Sequence, residues 1–220
     1  MPDHDANAPS AEEIALDERD GALVEAVDAE MARARAVAGP LFRCGPGRGE
    51  CCQRPFPVNR LDARRLQRGL ALLGRVDPER ARALRERAEA VVSRLRPGFP
   101  GDAESGLLGG DEDARRRFCM EHWDLSCPAL DTATGRCELY EWRPLACRAM
   151  GTPVRFRGRN LASCGICFGP ASDEERERCR AVPDPEGKED AILSEVEARS
   201  GRKGETFIAF ALADRPRPFR

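Results

Sequence analysis

Histidine and lysine are scarce in this 220-residue chain: two of each, beside a single tyrosine. With so little imidazole, a mixed histidine–carboxylate metal site or a histidine-driven catalytic centre has little to build on. Long apolar runs are missing too. The longest, Phe207 to Ala213, falls far short of the roughly 20 residues that span a bilayer. No basic start followed by an apolar stretch marks the amino end, so the expected compartment is the cytoplasm, with no membrane partner. Neither G-x-x-x-x-G-K-[ST] nor G-x-S-x-G occurs, which removes the usual phosphate loop and the serine-hydrolase elbow. Charge is nearly balanced, 36 basic against 38 acidic residues, so no overall basic coat points to nucleic acid.

What the chain has in excess is cysteine. It carries ten, at positions 44, 51, 52, 119, 127, 137, 147, 164, 167 and 179. In a reducing compartment such an excess points to metal binding before a disulfide framework, and the vicinal Cys51-Cys52 pair bridges itself only with strain. Isolated buried thiols are the bland alternative.

The remaining pattern is largely helical. Residues 1–9 form an acidic lead-in expected to be disordered. Ser10-Ala-Glu-Glu13 has the form of a capping box, and Leu16, Leu23, Val27, Met31 and Ala34 then recur at helical spacing, which predicts a helix within 10–39. Its acidic face reads first as a solvated face, with a basic protein partner as the alternative. Residues 41–57 are Gly- and Pro-rich, and no regular element fits there. A helical insert over 59–97 carries two apolar stripes, Leu61, Leu66, Leu70, Leu73 and then Ala81, Leu84, Ala88, Val91, Leu95. Its eleven arginines spread around both helices, four of them offset by glutamates at helical spacing, and read as a solvated face. Residues 98–113 read as a surface linker, and Cys127–Leu130 and Cys137–Tyr140 flank a five-residue loop in a hairpin.

Pro144 suits the start of a short helix, Leu145 to Met150, whose amino end would favour a thiolate at Cys147. Cys164-Gly-Ile-Cys167 precedes a helix opening at Ser172-Asp-Glu-Glu175 and another near 186–199. Residues 206–213 suit a strand or a helix. A thioredoxin-like role for Cys164-x-x-Cys167 has no preceding strand or long following helix to support it. Trp123 and Trp142 read as core or lid aromatics.

Thiolates must converge at about 2.3 Å on one zinc or iron, and a sulfur-only set selects zinc or iron-sulfur. The stretch CPALDTATGRCELYEWRPLACR, residues 127–148, resembles the C-P-[FA]-L … G-x-C-x-[IL]-Y-E-x-R-P-x-x-C-R signature of the YkgJ-like cysteine-cluster family, described as a zinc- or iron-chelating domain. Cys44 and Cys51-Cys52 resemble that family's opening C-x-x-C-x-x-C-C. Gly47 stands where its second cysteine would be, and the vicinal pair comes one residue late. One branch of the family resembles flagellin lysine N-methylases, which are thought to carry an iron-sulfur cluster.

The resemblance implies Cys44, Cys51, Cys52, Cys127, Cys137 and Cys147 as ligands, with Cys164 and Cys167 as later ones. Arg143 and Arg148 beside them would offset the negative charge of a thiolate centre, and Tyr140 and Glu141 would supply outer hydrogen bonds. Cys119 and Cys179 read as ordinary thiols on helices. His122, in a C-x-x-H with Cys119, reads first as a packed residue.

The expected fold is mainly α with a small irregular and β-hairpin cysteine core. It divides into the tail 1–9, the helix 10–39, a cysteine-cluster domain 41–170 and a helical extension 171–220. The expected function is an iron-sulfur or zinc protein, foremost an electron-transfer module. A lysine N-methylase-like modifying enzyme and a zinc-stabilised nucleic-acid binder are the alternatives, and the scattered arginines make the last the weakest.

Overall fold

A computed structural model describes residues 10–214 apart from Pro46, Arg157 and Ala162. The acidic lead-in over residues 1–9 lies outside the described residues. In chain order the elements are α1 (Ala11–Ala38), β1 (Pro57–Val58), α2 (Arg60–Val76), α3 (Pro78–Leu95), β2 (Gly101–Asp102), β3 (Leu107–Leu108) and α4 (Glu112–Glu121). Then come β4 (Leu130–Asp131), β5 (Arg136–Cys137), α5 (Leu145–Arg148), β6 (Val154–Phe156), β7 (Arg159–Leu161), α6 (Gly165–Phe168), α7 (Asp173–Arg178), α8 (Lys188–Ser200), β8 (Thr206–Phe207) and α9 (Ile208–Ala213). The strands pair only in antiparallel twos, so the fold is mainly α with small β-hairpins, as the sequence implies. Among the described residues no helix is long and apolar enough to cross a membrane.

The chain divides into two compact units, Met1–Phe42 with Gly151–Ser194 and Arg43–Met150 with Glu195–Arg220. In the first, α1 opens on the expected capping box. The Ser10 hydroxyl accepts from Glu13 N at 3.2 Å, and the Glu13 carboxylate accepts from Ser10 N at 2.8 Å. Leu16, Leu23, Val27, Met31 and Ala34 are all buried. The opposite face is not wholly solvated, because Glu30 accepts from Val182 N at 2.8 Å and Arg33 donates to the Arg180 carbonyl at 3.0 Å. β6 pairs with β7, and Val154 also bridges Ala181. α7 opens on the Ser172–Glu175 capping box.

In the second unit α2 and α3 pack together, with Leu66 and Leu70 in one buried cluster with Ala81, Leu84 and Ala88, and Leu61 and Leu95 are buried too. Val92 takes the deeper place expected of Val91, which is only partly buried. Residues 206–213 are both strand and helix. β8 pairs with β1 in the register Pro57↔Phe207, and the chain then turns into α9, which packs on α2 and α3 with Ile208, Ala211 and Leu212 buried. Each fully buried leucine or phenylalanine stabilises by about 1.5–3 kcal/mol.

The stretch expected to be a surface linker is mostly exposed, but Phe99 and Leu108 anchor it in a second apolar cluster. β2 and β3 form a hairpin within it, and Phe99 and Leu108 are buried beside Phe118, Phe207 and Phe210. Phe99 meets Phe118 edge-on at 6.0 Å and Phe207 at 5.7 Å, an arrangement aromatic quadrupoles favour.

Candidate metal centre

The Gly/Pro-rich opening of the second unit folds as a loop closed by a 3-10 turn at Glu50–Cys52. It lies against the tip of the β4–β5 hairpin because both surfaces lack side chains. Gly135, at φ +68°, is so close to Gly47 that a Cβ there would stand 2.6 Å from the Gly47 carbonyl oxygen. A second tie follows directly, Cys127 N donating to the Cys52 carbonyl at 2.7 Å, with Ser126 Oγ on Gln53 Oε1 at 2.9 Å. Arg54, immediately beyond, holds the left-handed φ of 142°, a strained conformation for a side-chain-bearing residue.

The hairpin is shorter than expected. Leu130 faces Cys137 and Asp131 faces Arg136, which leaves a four-residue loop. Leu130 N donates to the Cys127 carbonyl at 2.9 Å and Glu138 N to the Ala129 carbonyl at 2.8 Å, so Cys127 and Cys137 share one stem. That stem is held by arginines expected only to face solvent. Arg87 donates to the Pro128 carbonyl at 3.0 Å and to Glu138, and Arg80 reaches the same carboxylate at 3.1 Å. Arg65, unlike those two more exposed arginines, is buried, paired with Asp62 at 2.5 Å. The solvated-face reading of the insert is corrected at these positions.

After the hairpin a 3-10 turn at Tyr140–Trp142 leads into α5. The helix starts at Leu145 as expected, with Pro144 just before it, and stops at Arg148, two residues earlier than expected. Trp142 seats against Gly69 of α2, where any Cβ would stand 2.4 Å from its ring. Trp123, by contrast, is 66% exposed and neither core nor lid. Arg148 is buried at 2% exposure and binds backbone, its Nε on the Arg143 carbonyl at 3.1 Å and a second nitrogen on the Glu141 carbonyl. It therefore clamps the turn between Cys137 and Cys147.

Five of the eight proposed ligands, Cys51, Cys52, Cys127, Cys137 and Cys147, are gathered here. Cys51 acts electrostatically on each of the other four, and Cys147 acts on Cys52. Burial pushes the Cys127 thiol up to about 12, raises Cys137 and raises Cys147 well above the ordinary thiol value. The expected helix-dipole preference for a thiolate at Cys147 is thus overturned, because a four-residue helix offers little dipole and desolvation dominates. The hydrogen bond between Cys52 and the exposed Cys51 lowers Cys51 to about 6 and raises Cys52.

Arg143 is the cation facing this group, lowering both Cys51 and Cys137. Its guanidinium lies 3.5 Å from the centre of the Tyr140 ring. Its Nε is buried without a hydrogen-bond partner among the described residues. Tyr140 thus serves Arg143 through its ring.

Cys44 lies in the opening loop of the second unit, partly buried. In the first unit Cys164 caps α6 and Cys167 sits buried within it, with their sulfurs within 4.8 Å of each other, a spacing two ligands of one ion can use. Strand β7 does precede this pair, contrary to expectation, while the helix after it spans only four residues. Cys179 is buried and bonded to the Glu175 carbonyl, and Cys119 is half-buried on α4. His122 caps that helix, its ring 4.3 Å from Phe118 and Nδ1 2.9 Å from the Phe118 carbonyl, as a packed residue would be.

A donor set of clustered thiols with an adjacent guanidinium fits a soft metal. Partly buried thiolates in mutual range repel unless a cation sits among them, and the raised values of Cys127, Cys137 and Cys147 express desolvation first and that repulsion second. A family model, CxxCxxCC, described as "Putative zinc- or iron-chelating domain", matches residues 43–167, more than half of the chain. The chain belongs to this family. No curated protein and no solved structure matches it significantly. The CxxCxxCC match begins one residue before Cys44 and ends on Cys167, so it encloses all eight proposed ligands and leaves out Cys179.

Asp62 and Glu138 are the residues that reading the sequence misses. Asp62 looks like an ordinary first-turn acid three residues after the Asn59 cap, and Glu138 like the polar face of a hairpin. Only the fold brings them to the cysteine stem and turn.

Proposed function

We propose that this CxxCxxCC protein holds an iron-sulfur centre and works as an electron-transfer or metal-carrying module. The observation that carries the reading is the gathering of five thiols around one stem and turn with a guanidinium facing them. One structural zinc needs four ligands, and here a fifth, exposed thiol accompanies the four. Cys52, Cys127, Cys137 and Cys147 are the proposed inner set and Cys51 the accessible one. Cys44, Cys164 and Cys167 are proposed as further ligands by their place in the family pattern.

Bound iron-sulfur would supply one-electron chemistry. The chain's own residues hold the sulfurs, shield Cys127 and Cys147 in part from water, and place the Arg143 charge where it offsets thiolate charge and raises a reduction potential. The cavity beside Cys127 encloses about 20 Å³, room for a single water, which supports carriage over turnover of an organic co-substrate there. The cytoplasm remains the proposed compartment. Protein purified under nitrogen should be brown, with iron and acid-labile sulfide in matching amounts. A colourless protein with stoichiometric zinc would replace iron-sulfur by zinc, and a metal-free protein that takes up neither would refute the reading.

A further inference from the structure

The acid Asp62 is 4% exposed, on the first turn of α2. Asn59 caps that helix and fixes the turn, its Oδ1 accepting from Asp62 N at 2.9 Å. Asp62 Oδ1 pairs with the buried Arg65 at 2.5 Å and also accepts from Leu145 N at 2.9 Å. Leu145 is the first residue of α5, the helix that carries Cys147, and Asp62 acts electrostatically on that thiol. Two helical turns further along the same face of α2, Gly69 receives Trp142. One face of α2 therefore grips both ends of the segment from Trp142 to Leu145, which joins the hairpin stem to α5.

A helix of four residues has no cooperative stability of its own. Its amides at the amino end need outside acceptors, and its neighbour Pro144 carries no side-chain cap. Asp62 supplies the acceptor from a rigid helix, so the direction of α5, and with it the placement of the Cys147 sulfur, is set from α2. Next to a thiolate centre the acid is electrostatically adverse, and its retention there is explained by this bond together with the Arg65 counter-charge.

We propose that Asp62 is a positioning residue of the metal centre, acting through Leu145 N–H on the turn that presents Cys147. The proposal rests on the reading of Cys147 as a ligand.

Two variants remove the bond from opposite ends. Asp62→Leu with Arg65→Met replaces the ion pair as a whole, which leaves no unpaired buried charge. Leu145→Pro removes the donor, and the extended Pro144 (φ −49°, ψ 148°) already suits a following proline at the first helical position. Asp62→Asn with Arg65→Gln keeps an acceptor for Leu145 N–H without the charge. Zinc affinity is measured by competition with a chromophoric chelator, sulfur ligation by the charge-transfer bands of the cobalt-loaded protein, and folding by circular dichroism.

Both bond-deleting variants should keep their helical signal, bind zinc roughly 10–100-fold more weakly, and lose sulfur-to-cobalt intensity. The Asn/Gln pair should stay close to the unaltered protein in all three. Parent-like zinc affinity in either folded deletion variant overturns the proposal. So does an Asn/Gln pair as weak as the deletions, since charge and not the bond would then matter, and so does loss of helix in both deletions, since Asp62 would then hold the fold as a whole. Failure of the unaltered protein to bind zinc, cobalt or an iron-sulfur centre at all sinks the underlying reading, a result seen before any variant is made.

Discussion

The backbone N–H of Cys127 donates to the carbonyl of Cys52 at 2.7 Å. With the Gln53–Ser126 contact beside it, this bond joins the opening loop to the core signature, two stretches separated in sequence by the whole helical insert. It makes the vicinal pair and the hairpin one structure. Cys127→Ser and Cys147→Ser should therefore abolish metal retention, since each removes a sulfur from the inner set and hydroxyls are poor ligands for soft metals. Cys119→Ser and Cys179→Ser should leave metal content unchanged, because neither acts on the gathered thiols. Elemental analysis of the four purified variants decides this; full metal in Cys127→Ser would move the centre elsewhere.

Gly135→Ala should separate the loop from the hairpin. The added methyl meets the Gly47 carbonyl at 2.6 Å, and the backbone there is left-handed at φ +68°. A cost of about 1–3 kcal/mol is expected from strain and displacement. Metal affinity should fall with it, because the loop carries Cys51 and Cys52. Gly45→Ala, which meets nothing within 4 Å, is the matched control. Chemical denaturation of the two metal-free variants gives the comparison, and equal stabilities would refute the docking role.

Local patterns were legible wherever a few neighbouring residues decide the structure. The two capping boxes, the stripe of α1 and the leucines of α2 needed nothing beyond helical periodicity. The Cys127–Cys147 signature likewise pointed to the right turn. Within the largely exposed 98–113 the anchoring of Phe99 and Leu108 was missed, because they bury only through partners that arrive from Phe118 and from Phe207 to Phe210, far along the chain. The arginines of the insert were misread for the same reason, since Glu138 and the Pro128 carbonyl lie outside the helix whose charge pattern was being counted. Asp62 shows the limit most plainly. Its spacing marks it as a dipole-complementing acid, and only the tertiary structure gives it the Leu145 amide.

Glu138→Ala should loosen the cysteine stem without unfolding the unit. The carboxylate is 8% exposed and joined to Arg80 and Arg87, which are themselves 56% and 40% exposed and can turn to water when it is lost. About 1–2 kcal/mol of stability should go, less than for a pair whose surviving charge stays buried. Arg87→Met should lose a similar amount, because it also forfeits the bond to the Pro128 carbonyl. The double variant should lose less than the sum of the two, and strict additivity in denaturant titrations would show that the pair is not a working contact.

The stability of the metal-free protein should pass through a maximum near the ordinary thiol pKa of about 8.5. Cys51 is lowered in the fold to about 6, so its contribution is present above the unfolded value and is lost as pH falls through about 6. Cys127, raised to about 12, and the likewise raised Cys137 and Cys147 work the other way. Their contribution is complete below the unfolded value and declines as pH rises above it, for Cys127 until about 12, because only the unfolded chain then gives up its protons. Cys127 removes about 1.4 kcal/mol per pH unit over its window, and Cys137 and Cys147 act in the same direction. Metal reverses the alkaline limb, since it binds the thiolates and displaces the same protons, so zinc affinity should climb with pH over the range in which the metal-free protein weakens. Thermal unfolding with and without zinc from pH 6 to alkaline pH tests both limbs; parallel curves would mean that these thiols do not hold the metal.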